Sequence, residues 1–156
     1  MTDVQPIVPV PDELTAFFWE GARQHKLLIQ RCDVCGYYLH WPRPCCKRCN
    51  SFELTPVEVS GRGTLYSYTV AVHPFHPWLA SRLPYVLAVV ELEEQHNLKL
   101  VTNIVDCAEE DLRCGLAVEV TYETIAEGSV LPMFRPRAAD GPVPGGVADE
   151  RAEEVR

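Results

Sequence analysis

Between Arg31 and Ser51 the chain reads RCDVCGYYLHWPRPCCKRCNS, and five of its seven cysteines fall in that stretch. Two Cys-x-x-Cys pairs, Cys32 with Cys35 and Cys46 with Cys49, stand ten residues apart. Each such knuckle points two sulfurs from one tight turn at a single ion, and two knuckles complete a tetrahedron at about 2.3 Å Zn–S. Gly36 follows the first pair, where a knuckle needs a residue that tolerates left-handed dihedrals. The segment YYLHWPRP supplies a hairpin that brings the second knuckle around. The spacing predicts a zinc ribbon with ligands Cys32, Cys35, Cys46 and Cys49. Cys45 is the less suitable ligand, because pairing it with Cys49 would put three residues between them. Four thiolates also close the coordination shell, so the metal holds shape and does no chemistry. A single iron fits the same donors, and colour separates the two: a red preparation for iron, a colourless one for zinc. A redox reading would need a low-pKa thiol at a helix N-terminus in a βαβ setting, and neither pair has one.

The compartment expectation follows from the rest of the chain. MTDVQPIVPVPDEL has no basic region followed by an apolar run, and no apolar stretch reaches the ~18–20 residues needed to span a bilayer. A cytoplasmic protein with reduced thiols is expected, and with it metal binding in place of disulfides. The formal net charge of −8 argues against a general binder of phosphate backbones. The ribbon segment is the local exception. Arg31, Arg43, Lys47 and Arg48 outweigh Asp33, and with four thiolates on one Zn(II) the segment stays at about +1.

Four regions are expected. Residues 1–25 hold an extended, proline-bearing start and then a helix of roughly three turns, capped at Asp12, with Leu14, Phe17, Phe18 and Ala22 near one face. Trp19 lies off that stripe, and Phe17, Phe18 and Trp19 together make the helix a candidate docking element. Residues 26–54 form the ribbon, entered through a strand at Leu27-Leu28-Ile29. Residues 55–136 read as strands: TPVEVSGRGTLYSYTVAV, PYVLAVVELEE, LKLVTNIVD and AVEVTYETI, with Gly61 and Gly63 marking a bend or bulge. Four to five such strands with little helix predict a small Greek-key barrel of the OB type, so the fold class is mainly β. Residues 137–156 carry glycine, proline and a net negative charge, the composition of a flexible acidic tail. Cys107 and Cys114 flank a turn and read as small packing residues.

One loop stands out. HPFHPWLASRLP, residues 73–84, combines His73, Phe75, His76 and Trp78 with prolines between two barrel strands. Aromatics on a stiff loop at a barrel end suit either a binding element or a cap on the open end. His73 and His76 have no carboxylate partner or serine elbow near them in sequence, and no phosphate-cradling glycine loop is present.

The order of parts then becomes distinctive: an aromatic helix, LLIQRCDVCG, WPRPCCKRCNS, GRGTLYSYTVAV, PYVLAVVEL and a last strand ending at LPMFRP. Over roughly residues 12–136 this resembles family 35 of the domains of unknown function. The resemblance implies an N-terminal helix and a rubredoxin-like zinc ribbon joined to an OB-fold, with Cys32, Cys35, Cys46 and Cys49 on one structural Zn(II). It also implies a non-catalytic companion of a thiolase-fold enzyme acting on acyl-CoA thioesters, by thiolysis, acyl transfer or retro-aldol cleavage as in steroid side-chain breakdown. In that setting coenzyme A arrives as part of the substrate and the chain works in a hetero-oligomer. Arg31, Arg43, Lys47 and Arg48 are the candidates for the CoA phosphates, and the loop residues His73, Phe75, His76 and Trp78 for the acyl path or the partner. Cys45 beside the second knuckle and the acidic tail are departures from the family's pattern. Two alternatives remain: a single-stranded nucleic-acid module stacking bases on Tyr66 and Tyr68, which the charge opposes, and a self-sufficient enzyme using His73 or His76.

Overall fold

In a computed structural model, residues 4–138 are described. The chain runs through α1 (Ala16–Arg23), β1 (Leu28–Cys32), β2 (Tyr38–Leu39), β3 (Leu54–Glu58), β4 (Arg62–Ala71), β5 (Tyr85–Leu92), β6 (Lys99–Ile104), β7 (Ala117–Ala126) and β8 (Ser129–Pro136). The expected acidic tail lies outside the described residues apart from Arg137 and Ala138. Among the described residues no helix is long and apolar enough to cross a membrane.

Asp12 does act as a cap, but of a turn and not of α1. Its Oδ1 accepts from the backbone N–H of Leu14 (3.1 Å) and Thr15 (2.8 Å) and from the Thr15 hydroxyl (2.7 Å). The helix therefore starts only at Ala16 and spans eight residues, shorter than the sequence pattern suggests. At its end the chain folds back tightly into β1. A Cβ on Gly21 would sit 2.7 Å from Leu28 Cγ and 2.8 Å from the Lys26 carbonyl, so only glycine allows this approach.

The ribbon sheet has the order β2-β1-β3, all antiparallel. The expected junction at 54/55 falls at the start of β3, which pairs along the whole of β1, from Leu28↔Glu58 to Cys32↔Leu54. Gly61 thus marks the crossover between two sheets and not a bend within one strand. The five remaining strands close into a barrel in the order β4-β5-β6-β8-β7, with β6 and β8 parallel at Ile104↔Phe134 and β7 returning to β4. This is the five-stranded Greek-key arrangement of an OB-fold.

β4 pairs with both β5 and β7 around Gly63. A Cβ there would lie 2.5 Å from the Glu91 carbonyl and 2.8 Å from Val90 Cγ1. Gly63→Ala is therefore expected to destabilise the barrel by about 1–3 kcal/mol through overpacking, read as a lower urea midpoint at unchanged slope.

Leu65, Val90, Leu100, Val118 and Phe134 fill the barrel, and Phe18, Leu27 and Ile29 from α1 and β1 belong to the same apolar cluster. Ribbon and barrel therefore share one core. Gln95 reinforces the join: its Oε1 accepts from the Tyr38 N–H (2.9 Å), and its Nε2 donates to the Tyr38 carbonyl (3.2 Å).

Candidate functional site

The two knuckles repeat one backbone design. Cys32 N–H donates to the Tyr37 carbonyl (2.9 Å) and Cys46 N–H to the Ser51 carbonyl (2.8 Å). Gly36 N–H returns to the Cys32 carbonyl and Asn50 N–H to the Cys46 carbonyl, both at 2.9 Å. The residue after each pair is left-handed, Gly36 at φ +72° and Asn50 at φ +60°. Gly36 was legible from sequence; Asn50 uses the other residue type that tolerates this region.

The turns bring the Sγ atoms of Cys32, Cys35, Cys46 and Cys49 within 4.8 Å of one another. Cys32–Cys49 and Cys35–Cys46 are each 3.6 Å apart, too long for disulfides and close to the edge of about 3.8 Å of a tetrahedron with Zn–S bonds of about 2.3 Å. Cys32 and Cys46 are fully buried. Burial raises the Cys46 thiol, yet the Cys49 and Arg48 amides and the neighbouring thiols hold it down to about 6. At Cys49 the Ser51 amide pulls the thiol down, but burial and the Cys35, Cys32 and Cys46 thiols outweigh it and push it up to about 12. Such a cluster ionises fully only around a cation, and the four cysteines form a metal-binding site suited to a tetrahedral thiophilic ion. Cys45, half-buried, is not among the four.

Among the described residues, none of Arg31, Arg43, Lys47 and Arg48 lies in an ion pair. Arg31 donates to the Gly36 carbonyl (3.3 Å) and stands 5.6 Å from the Tyr38 ring centre, and Lys47 is 5.2 Å from that of Tyr37. On α1, Phe18 is 3% exposed in the core, with Phe17 and Trp19 half-buried against it. Of the expected docking residues, Phe18 is thus occupied by the chain's own packing. The exposed aromatics of the ribbon are Trp41 and Phe52, at 53% and 79%, and the Trp41 ring centre lies 6.4 Å from that of Phe18.

The 73–84 loop divides. His76 accepts through Nδ1 from the Trp78 N–H (3.2 Å) and so caps the short 3-10 helix Pro77–Arg82, while His73 is exposed. Phe75 and Trp78 instead line a groove of about 580 Å³ at the barrel end, opposite Ile104, Leu131 and Met133. Arg82 stands 4.2 Å from the Trp78 ring centre and pairs with Glu123 at 2.7 Å. β7 and β8 add Glu123, Leu131 and Met133 to this wall from about fifty residues downstream, so nothing local in sequence announced their part in it. Of the two tyrosines considered for base stacking, Tyr66 lies under Lys99 Nζ (3.4 Å to the ring centre) and Tyr68 donates its hydroxyl to the Leu112 carbonyl (3.0 Å).

His40 was not singled out from sequence. Its Nε2 is buried without a hydrogen-bond partner, and its ring lies 4.5 Å from Trp41 and 5.6 Å from Phe18. Desolvation lowers its pKa to about 4. The unfolded chain therefore binds the proton first as pH falls, so stability present above about pH 6.5 is lost between 6.5 and 4. The expected loss is about 3 kcal/mol, by ~1.4 kcal/mol per pH unit. Urea midpoints at pH 7 and pH 4.5 should converge for His40→Phe relative to the parent; thiol protonation, common to both, cancels in that comparison.

Comparison with known proteins places this architecture. Residues 19–55 match the family described as "ChsH2, rubredoxin-like zinc ribbon domain", and residues 56–123 match "ChsH2, C-terminal OB-fold domain". A protein of Thermomonospora curvata described as a probable enoyl-CoA hydratase alpha subunit is 43% identical over 82% of this chain, which spans only 39% of that relative's length. A "DUF35 domain-containing scaffold protein" of Methanocaldococcus jannaschii is 33% identical over 74% of this chain and 82% of its own length. A solved structure described as "Ltp2-ChsH2(DUF35) aldolase" contains a chain 43% identical to this one, with a TM-score of 0.75, covering 82% of this chain and 98% of that one.

Proposed function

We propose that this chain, which belongs to the DUF35 family of rubredoxin-like zinc ribbons joined to OB-folds, is the non-catalytic subunit of a two-component enzyme that makes or cleaves a carbon–carbon bond on an acyl-CoA thioester. The observation that carries this is the match to the aldolase: 98% of a chain in a structure whose description couples two components corresponds to this one. A thiolase-fold partner supplies the reacting groups, retro-aldol cleavage being the reaction nearest that description. The chain's own side chains agree with the division. His76 is spent on a helix cap, and the four thiolates close the metal shell and leave no open position.

One Zn(II) on Cys32, Cys35, Cys46 and Cys49 supplies no chemistry here beyond fixing the ribbon. Arg31, Arg43, Lys47 and Arg48, free of carboxylates among the described residues, present a positive patch on an acidic protein, suited to the CoA phosphates or to an acidic partner surface. The half-buried Phe17 and Trp19, with the exposed Trp41 beside Phe18, form an aromatic surface suited to docking. The setting is a cytoplasmic hetero-oligomer.

Co-expression with a thiolase-fold enzyme from the same genome tests the proposal. A complex of fixed ratio, and turnover of a CoA thioester that depends on both chains, is the expected result. Separate elution with turnover indifferent to this chain overturns it.

A further inference from the structure

We infer that the groove at the barrel end binds the uncharged, apolar acyl group of the thioester and turns its phosphates away, so that this chain holds one end of the substrate; the inference rests on the function proposed above. The volume, about 580 Å³, suits a ligand the size of an acyl chain or a fused ring system. Two walls are aromatic and aliphatic. Phe75, 78% exposed, and Trp78 come from the loop, and Leu131 and Met133 come from β8.

The charges decide which part of the substrate fits. The charged residues of the lining are Arg82, Asp106 and Glu123. Arg82 is committed to Glu123 at 2.7 Å and to the Trp78 face. The Asn103 amide is likewise used, donating to the Val86 carbonyl at 2.9 Å. What remains is the Asp106 carboxylate, so among the described residues the groove lining carries a net negative charge and no unpaired cation. A CoA phosphate, or a free fatty carboxylate, would be desolvated beside that charge without a partner, whereas a neutral apolar group loses only water. The Arg82–Glu123 pair also ties the loop to β7, fixing the distance between the two walls.

The test uses the full chain, alone and in the co-expressed complex, with four probes: octanoyl-CoA, androst-4-ene-3,17-dione, CoA and octanoate. Calorimetry measures binding, and Trp78 fluorescence, with Trp78→Phe as the control, locates it. Octanoyl-CoA or the steroid should bind at least tenfold more tightly than CoA and octanoate. Preference between the first two tells a chain-shaped ligand from a ring-shaped one. Phe75→Ser, at an exposed position that leaves the fold intact, and Leu131→Trp, which fills the groove, should each weaken binding at least tenfold. Equal binding of CoA and octanoyl-CoA, undiminished binding in both variants, or no binding by a chain that still co-purifies with its partner overturns the inference and leaves the proposed function standing. Binding by a chain that finds no partner does the reverse.

Discussion

Replacing any of Cys32, Cys35, Cys46 or Cys49 with serine is expected to release the metal and unfold the ribbon, the largest effect of any single substitution in this chain. Structural zinc contributes on the order of 10–16 kcal/mol to small ribbons and fingers at neutral pH, comparable to a domain's whole stability. The metal end of the ribbon has little else to hold it. Its own cluster is Cys32, Leu39 and Cys46, with Cys35, Tyr37 and Leu54 around them, so the ligands are themselves most of the core. β2 is only two residues long. Metal content by absorption spectroscopy should fall from one ion per chain to none, and limited proteolysis should cut first between residues 32 and 54, with the barrel destabilised as well because it shares its core with the ribbon side. Cys45→Ser, outside the cluster, should keep the ion and cost less than about 1 kcal/mol. Retention of metal by Cys46→Ser together with its loss from Cys45→Ser would reverse the ligand assignment.

The ribbon was readable because its geometry is local. Each knuckle is specified by four consecutive residues and a left-handed one after them, and Cys-x-x-Cys followed by Gly states that outright. The barrel strands were readable for a related reason: Val118, Val120 and Tyr122 alternate with Glu119, Thr121 and Glu123, and period-two alternation is a local property of a strand. What the sequence concealed depends on partners far along the chain. The residues 54–58 have the same β-branched texture as the barrel strand after them, so nothing local shows that they pair with β1 instead. Asp12 has the chemistry of a helix cap, and only the observed hydrogen bonds from Leu14 and Thr15 reveal a turn in its place. His76 looked as available for chemistry as His73 until the Trp78 amide was seen to occupy its Nδ1.

The groove shows the same division. Its loop wall was visible as an unusual aromatic stretch, while the wall from β7 and β8 exists only because β8 inserts between β6 and β7. β7 presents Glu123 to Arg82, and their ion pair leaves the Asp106 carboxylate to set the charge that the groove presents. The sign of the groove is therefore a property of the topology, and the composition, acidic overall with a basic ribbon, indicates it only in the average.

Phe18→Ala is expected to destabilise the whole chain by about 3–5 kcal/mol, although the residue belongs to the N-terminal helix and not to the barrel. Phe18 is 3% exposed, its ring meets Trp19 edge-on at 5.0 Å, and it shares a cluster with Leu27 and Ile29 of the ribbon side and with Leu65, Val90 and Phe134 of the barrel. Truncation leaves a cavity bordered by both parts, and the Gln95–Tyr38 clamp keeps either from collapsing into it independently. Because the core is shared, far-UV circular dichroism and Trp fluorescence should report one coincident urea transition, shifted to a lower midpoint in the variant. Two separated transitions, with only the helix and ribbon affected, would mean that the barrel stands alone. In that case the ribbon would be a tethered module free to reorient on a partner. A single transition means that metal site, helix and groove are held in one fixed relation, as a subunit needs if it is to dock an enzyme at one end and orient part of its substrate at the other.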